Sequence, residues 1–163
     1  MTSNGTWMNR AQALREKLER AQWIPQLLLR IFLGYFFCES GWGKIHDLDG
    51  FAQRFAGWGI PFPAFNAALS AYTEFLGGAL IVLGLGTRLV AIPLVINMLV
   101  AILSVKLKDL DSFNGFFEMD EPLYALGFFW LMFSGPGWVS VDNLLWRWMK
   151  SRRSNTEAKA AGG

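Results

Sequence analysis

The chain has 163 residues, of which 53% are hydrophobic and 15% aromatic, and its formal net charge at pH 7 is +2. So apolar a composition is unusual for a soluble domain and indicates a single domain with an apolar, aromatic surface. The one cysteine, Cys38, excludes a disulfide framework, a CxxC redox pair and a cysteine metal cluster within one chain, and we expect it to serve as a small packing residue.

The first predicted element is an amphipathic helix over residues 1–23. Five apolar residues recur there at helical spacing, with basic residues elsewhere around the helix: Trp7, Ala11, Leu14, Leu18 and Ala21. We expect this helix to lie on the inner surface of a membrane, although a plain solvated helix fits the same pattern. The apolar run after it lacks a small-residue cleavage site, so we do not expect a cleaved secretory signal.

Four apolar stretches follow, each ended by Gly, Pro, Trp or charge. They cover residues 24–42, 64–86, 89–105 and 122–139. A hydrocarbon core about 30 Å thick needs about 20 apolar residues, with about 17 as the lower limit. The sequence therefore predicts an all-α membrane protein, with a bundle of four transmembrane helices over residues 24–142.

The loop at residues 43–63 is too long for a tight turn. It places Phe51 and Phe55 one helical turn apart, which predicts a short amphipathic helix on the outer surface that ends before Pro61 and Pro63. By contrast, the second and third spans are joined by a Gly-Thr-Arg corner. A connection this short makes those two helices antiparallel neighbours.

The loop at residues 106–121 is rich in carboxylates, and Asp109 and Asp111 resemble the first two ligands of an EF-hand. Its glycine occupies the position after the one that the motif requires, so we reject an EF-hand and expect a solvated loop. A second alternative, in which His46 and Asp47 bind a metal together with Glu39, has weak spacing. We therefore predict no metal site.

Residues 143–163 contain Trp146, Trp148 and several basic side chains beyond the last span. This pattern predicts an interfacial helix that is attracted to anionic lipid, and the polar residues from 154 onward predict a disordered tail.

Lys and Arg residues are unequally divided between the two sides of the predicted bundle. One side holds Arg10, Arg15, Lys17, Arg20, Arg88, Arg147, Lys150, Arg152, Arg153 and Lys159, and the other holds Lys44, Arg54, Lys106 and Lys108. Because Lys and Arg accumulate on the cytoplasmic side of membrane proteins, both termini are predicted to be cytoplasmic.

Three polar residues are predicted to lie deep in the membrane. Arg30 is about six residues into the first span, roughly 9 Å from its inner end, and Glu74 and Asn97 lie near the middle of the second and third spans. A buried charge is strongly unfavourable unless it is paired, so we predict an ion pair between Arg30 and Glu74. Two interpretations stay open: a structural ion pair, or a pocket in which Arg30 holds a substrate and Glu74 relays a proton.

Four groups of residues resemble the DoxX family of small four-helix membrane proteins. They are Arg30, Gly34, Gly41 and Lys44; Ile60, Pro61 and Pro63; Glu74, Gly77, Gly78, Leu83, Gly84, Thr87 and Arg88; and Gly135, Pro136, Gly137, Ser140 and Asp142. The resemblance covers residues 27–143, and the pair Glu39 and Ser40 and the acidic second outer loop depart from it. It implies a bacterial inner-membrane protein that takes part in redox chemistry during stress or detoxification.

On this resemblance we predict a membrane subunit of an oxidoreductase complex that handles a quinone or a small sulfur compound. Glu74 and Arg30 are the predicted catalytic residues, and Asn97, Lys44 and Arg88 are predicted to bind substrate. A quinone is the expected cofactor class, and a partner protein is expected to carry the electrons because the chain has no flavin, haem or iron–sulfur motif. Membrane lipids are the other expected partners, homo-oligomers are compatible with the sequence, and no nucleic-acid partner is expected.

The competing hypothesis is a non-catalytic membrane scaffold that recruits a soluble enzyme or assists metal or peptide handling. A transporter is a weaker alternative, because the spans show no paired broken helices.

Overall fold

The computed structural model describes residues 3–104 and 119–161, and these residues are helical apart from short connections. The helices are α1 (Ser3–Ala21), α2 (Trp23–His46), α3 (Leu48–Gly57), α4 (Pro63–Leu83), α5 (Thr87–Ser104), α6 (Glu121–Ser134) and α7 (Val141–Ala161). The all-α prediction is confirmed for the described ranges. Most of the acidic loop, including Asp109 and Asp111, lies outside them.

Helices α2, α4, α5 and α6 pack into a bundle. Of the described helices, α4 and α5 are long and apolar enough to cross a membrane. Helix α6 has 14 residues, which corresponds to about 21 Å. The prediction of an apolar helix over residues 122–139 was therefore wrong at its end: α6 stops at Ser134 because Gly135 adopts a φ of 78°, and the chain turns there.

Both ends of α4 follow local sequence signals. Pro63 begins the helix, where its missing N–H leaves no hydrogen bond unmade, and Gly84 ends it with a φ of 69°, a conformation that favours glycine. The chain then turns through Gly86 into α5. The two helices are antiparallel neighbours, as the short corner predicts.

Glycines bring α2 and α4 into direct backbone contact. A Cβ atom added at Gly34 would lie 2.7 Å from the carbonyl oxygen of Gly78, and one added at Gly78 would lie 2.5 Å from the backbone nitrogen of Cys38. Gly41 meets the backbone of α4 in the same way, near Ala71 and Phe75. Small residues at such crossings allow helices to approach closely in membrane proteins.

Two glycines of α2 that are two residues apart should respond oppositely to alanine. Gly41→Ala places a methyl group against the backbone of α4 and should lower the free energy of unfolding by about 1–3 kcal/mol. Gly43→Ala meets nothing within 4 Å and should raise it by up to about 1 kcal/mol, since alanine favours the helix. Melting temperatures in detergent test the pair. Equal effects would contradict the close packing of α2 and α4.

The bundle core lies between the centre of the helices and the end that carries α1. Its buried members are Leu33, Phe37, Ile81, Ala91, Leu94, Met98, Phe128 and Leu131, each at most 5% exposed. A second, smaller core forms where α3 packs on α4, with Phe51 and Phe55 against Ala67 and Ala71. The carboxylate of Asp47 begins α3 by accepting the N–H of Gly50. The predicted short amphipathic helix is confirmed.

The terminal helices expose their apolar side chains. Trp7, Leu14 and Leu18 of α1 are each about 60% exposed, and Trp146 and Trp148 of α7 are more than half exposed. Both elements are helical as predicted. The disordered tail was a wrong prediction, since α7 continues through Ala161. Its last turns contain good helix formers such as alanine, glutamate and lysine, which sustain the helix beyond the basic segment.

Candidate functional site

A cavity of about 1040 Å³ opens among α2, α3, α4, α5 and α6. It lies at the end of the bundle that carries α3, which we call the α3 end; the opposite end, which carries α1 and α7, is the α1 end. Its walls are largely apolar, with Phe36, Phe51, Leu69 and Ile96 among the lining side chains. Apolar cavities of this size with a few polar groups are the usual form of small-molecule sites.

Glu74 of α4 lies on the wall of this cavity and is 2% exposed. Its carboxylate has partners from two other helices. The side-chain N–H of Asn97 on α5 donates to Oε1 over 2.8 Å, and the hydroxyl of Ser40 on α2 donates to Oε2 over 3.0 Å. The charge itself is balanced by Lys44, whose Nζ contacts both carboxylate oxygens.

Lys44 reaches Glu74 from the last turn of α2. Its side chain is 26% exposed, against 3% for that of Glu74, so the ammonium group lies between the buried carboxylate and the open cavity. Nζ also lies 5.1 Å from the centre of the Phe51 ring, at cation–π distance. A ligand that enters the cavity therefore meets Lys44 together with the carboxylate.

Arg30 does not pair with Glu74, so that prediction was wrong. Its guanidinium group donates to backbone carbonyls at the α1 end: Nε to Ile81 over 3.0 Å, Nη2 to Val82 over 2.9 Å, and Nη1 to Val139 over 2.9 Å and to Pro136. Glu74 precedes Ile81 by seven residues, about 10.5 Å along the helix. The two charges are therefore on different levels of the bundle.

The free carbonyl groups at the end of α4 explain the position of the Arg30 side chain. The last carbonyls of a helix have no intrahelical partner and carry a partial negative charge, which favours a cation. Ile81 and Val82 are in the last turn of α4, and Arg30 supplies that cation while it also holds the loop at residues 135–140. The sequence placed Arg30 at a suitable depth for Glu74 but gave no account of these competing carbonyls.

Asp142 completes the α1 end and was not recognised as a candidate from the sequence. Both of its carboxylate oxygens accept the N–H of Gly86, at 3.0 and 2.9 Å, just before the first residue of α5. A carboxylate at a helix N-terminus is favourable because the first N–H groups have no intrahelical partner. Gln26 joins the same arrangement by donating to the carbonyl of Gly135 over 2.7 Å.

Comparison with known proteins agrees with this architecture. The DoxX family profile, described as DoxX, matches residues 26–107. The chain belongs to the DoxX family. It is 33% identical over 158 residues to an uncharacterised membrane protein of Mycobacterium tuberculosis, with 90% of this chain and 91% of the relative covered. No solved structure matches the chain.

Two further relatives of this DoxX protein have informative names. The first is "Putative oxidoreductase CatD" of Bacillus subtilis, 33% identical over 78% of this chain and 92% of the relative. The second is "Inner membrane protein YqjF" of Escherichia coli, 29% identical over 78% of this chain and 97% of the relative. The DoxX-family protein is thus a membrane protein by relationship, and its helices α4 and α5 are long and apolar enough to cross a membrane.

The DoxX residues fall into three parts of the structure. Arg30, Gly84, Gly135, Pro136 and Asp142 join the helix ends and loops at the α1 end. Gly34, Gly41 and Gly78 lie at the contact of α2 and α4. Lys44 and Glu74 are in the cavity. Much of the family pattern therefore lies where helices contact one another, and Lys44 and Glu74 form an ion pair on the cavity wall.

The other predicted site residues are divided between the cavity and the α1 end. Asn97 and Lys44 meet at Glu74, whereas Arg88 is exposed at the α1 end beside Gly135. The sequence did not predict Ser40 as a hydrogen-bond partner of Glu74. Its position four residues before Lys44 could have indicated this role, because residues four apart lie on the same face of a helix.

The geometry does not support the alternative metal site at His46, Asp47 and Glu39. The carboxylate of Asp47 caps α3, and Nδ1 of His46 lies 2.9 Å from the carbonyl oxygen of Trp42. Among the described residues, no group of three His, Cys, Asp or Glu side chains is arranged to hold a metal ion.

Proposed function

We propose that this DoxX protein is the membrane subunit of an oxidoreductase complex, and that the α3-end cavity binds its substrate, a quinone or a small sulfur compound. The observation that carries the proposal is the Lys44–Glu74 ion pair on the wall of a largely apolar cavity of about 1040 Å³. The name of the Bacillus subtilis relative, "Putative oxidoreductase CatD", supports the proposal of a role in redox chemistry.

The polar groups suit an oxygen-bearing ring compound such as a quinone. Lys44 and the amide of Asn97 provide N–H donors for a carbonyl oxygen, and the rings of Phe36 and Phe51 offer apolar surface to the ring. Glu74 can accept or return a proton beside them. Quinone reduction takes up two electrons and two protons, and quinol oxidation releases them, so both a proton site and an electron carrier are needed.

A partner protein is proposed as the electron carrier. The residues at the cavity supply hydrogen bonds and a proton site, which position a substrate and handle its protons. Arg30 and Arg88, placed at the α1 end, have no direct part in the chemistry that we propose. The site therefore consists of Glu74, Lys44, Asn97 and Ser40.

For the membrane, we propose four spans formed by α2, α4, α5 and α6, in the bacterial inner membrane, with both termini cytoplasmic. The excess of Lys and Arg at the α1 end supports this orientation, because basic residues accumulate on the cytoplasmic side. The exposed tryptophans of α7 support a position for that helix at the lipid interface. Trp146 and Trp148 lie 5.1 and 4.0 Å from the cationic groups of Lys150 and Arg152.

Glu74→Gln is expected to abolish substrate binding without unfolding the protein. Glutamine keeps the size of the side chain and removes its charge and its ability to accept a proton. Glu39→Gln, on the exposed face of the same bundle, is the matched control and should behave as wild type. The protein is purified in mild detergent with native lipid, and co-purifying molecules are identified by absorption spectroscopy and mass spectrometry.

A quinone or a flavoprotein that accompanies the wild type and Glu39→Gln, and is lost from Glu74→Gln, supports the redox proposal. Cofactor-free protein with the same partners in all three samples contradicts it. That result would favour the scaffold hypothesis and would make Glu74 a structural ion.

A further inference from the structure

We infer that the site at Glu74 communicates with one side of the membrane only, the side faced by the α3 end, and that water-soluble ligands and protons reach it from there. The inference rests on the proposed function for the identity of the site. It concerns the route to the site and not the reaction at it, so the two can fail separately.

The open half of the bundle is the half above Glu74, toward the α3 end. Thr73 lines the cavity at the level of Glu74, and Ser104, the last residue of α5, lines it near the rim. Ser104 follows Asn97 by seven residues, so about 10.5 Å of helix α5 separates the polar group at Glu74 from the rim. The cavity is continuous over this distance.

The charged groups of the cavity all enter it from the same end. Lys44 comes from the last turn of α2, Arg54 from α3, and Asp120 and Glu121 from the start of α6. They are the charged groups of the described residues that face the same cavity as Glu74. Water and ions favour charged surfaces, and a proton that Glu74 gains or loses is exchanged along this path.

The half of the bundle below Glu74 is filled. Ile81, Ala91, Leu94, Phe128 and Leu131 are each 0% exposed and come from α4, α5 and α6. On the remaining side, α2 lies so close to α4 that a Cβ atom at Gly34 or Gly78 would press on the opposite backbone. An apolar, close-packed core offers no hydrogen-bonded route for a proton and no volume for a ligand.

The α1 end is also tied shut by hydrogen bonds. Arg30 holds the last turn of α4 to the loop at residues 135–140, and Asp142 holds that loop's far end to the start of α5. Opening this end would break several hydrogen bonds to charged side chains, which are among the stronger hydrogen bonds in proteins. The closed end is therefore held independently of the core packing.

Cysteine accessibility tests the inference without a substrate. In a Cys38→Ala background, single cysteines replace Thr73, Ser104 and, as the control at the α1 end, Arg88. A membrane-impermeant thiol reagent is applied to right-side-out and inside-out membrane vesicles, and the modification rates are compared. Modification at Thr73 and Ser104 should be about tenfold faster or more in one preparation, which corresponds to a barrier difference of about 1.4 kcal/mol, and Arg88 should show the reverse.

Modification of Thr73→Cys from the Arg88 side, or from neither side, would overturn the inference. If Thr73→Cys does not yield folded protein, Ser70→Cys, which also lines the cavity on α4, serves in its place. Whether Glu74→Gln loses the co-purifying quinone is measured separately, in the co-purification experiment. One-sided labelling without quinone binding would leave the access route intact and reject the redox proposal alone.

Discussion

Arg30→Ala is expected to lower the free energy of unfolding by about 3–5 kcal/mol, because backbone carbonyls from two segments would lose their buried donor. Arg30 is 2% exposed and donates to carbonyls at the end of α4 and in the loop at residues 135–140. Water molecules cannot readily take the place of the guanidinium group in this buried position. Denaturant titration in mixed micelles measures the change, and a loss below about 1 kcal/mol would contradict the role that we assign.

Arg30→Lys separates the geometry of the side chain from its charge. A lysine keeps the positive charge near the end of α4 but has a single nitrogen, which cannot reach carbonyls on both segments as the planar guanidinium does. We expect Arg30→Lys to recover less than half of the stability lost in Arg30→Ala. Full recovery would mean that charge at the helix end is sufficient.

A double-mutant cycle decides between this role and the ion pair that the sequence suggested. Residues more than about 7–10 Å apart without shared partners have effects that add within about 0.5 kcal/mol. Arg30 and Glu74 form hydrogen bonds with different groups. The losses of unfolding free energy in Arg30→Ala and Glu74→Gln should therefore add in the double variant. A coupling energy well above that limit would restore the direct pair.

The sequence predicts most of the fold, and the reasons are local. Pro63 and the Gly-Thr-Arg corner fix the limits of α4, and the pairing of Phe51 with Phe55 predicts α3. The end of α6 was missed because the residues after Ser134 remain apolar, and hydropathy does not register a change of backbone direction. There the positive φ of Gly135 decides the structure.

The candidate site was half predictable for a different reason. The sequence correctly placed Glu74 and Asn97 near the middle of their helices, and the two side chains form a hydrogen bond there. Depth alone could not choose the counter-ion of Glu74, because that depends on which way each long side chain extends. Arg30 extends toward the helix end at the α1 end, whereas Lys44, placed by the sequence at the membrane surface, reaches back to the carboxylate.

The second large effect is expected at this ion pair, and it should be asymmetric. Lys44→Met leaves the carboxylate of Glu74, 3% exposed, with the neutral donors Ser40 and Asn97. Removing one partner of a buried ion pair costs about 3–5 kcal/mol because the other charge is left uncompensated. Glu74→Gln should cost about 1–2 kcal/mol, since the flexible lysine can turn its ammonium group into the open cavity.

The double variant Lys44→Met/Glu74→Gln separates charge from shape. If the loss in Lys44→Met comes from the uncompensated carboxylate, neutralising Glu74 in the same protein should restore most of the stability, so the double variant should be more stable than Lys44→Met alone. Melting temperatures and denaturant titrations of the three variants test this. If the double variant is as unstable as Lys44→Met, packing of the lysine stem against Phe51, and not its charge, stabilises the wall of the cavity. Recovery would instead mean that Lys44 stabilises the cavity wall chiefly by balancing the charge of the Glu74 carboxylate.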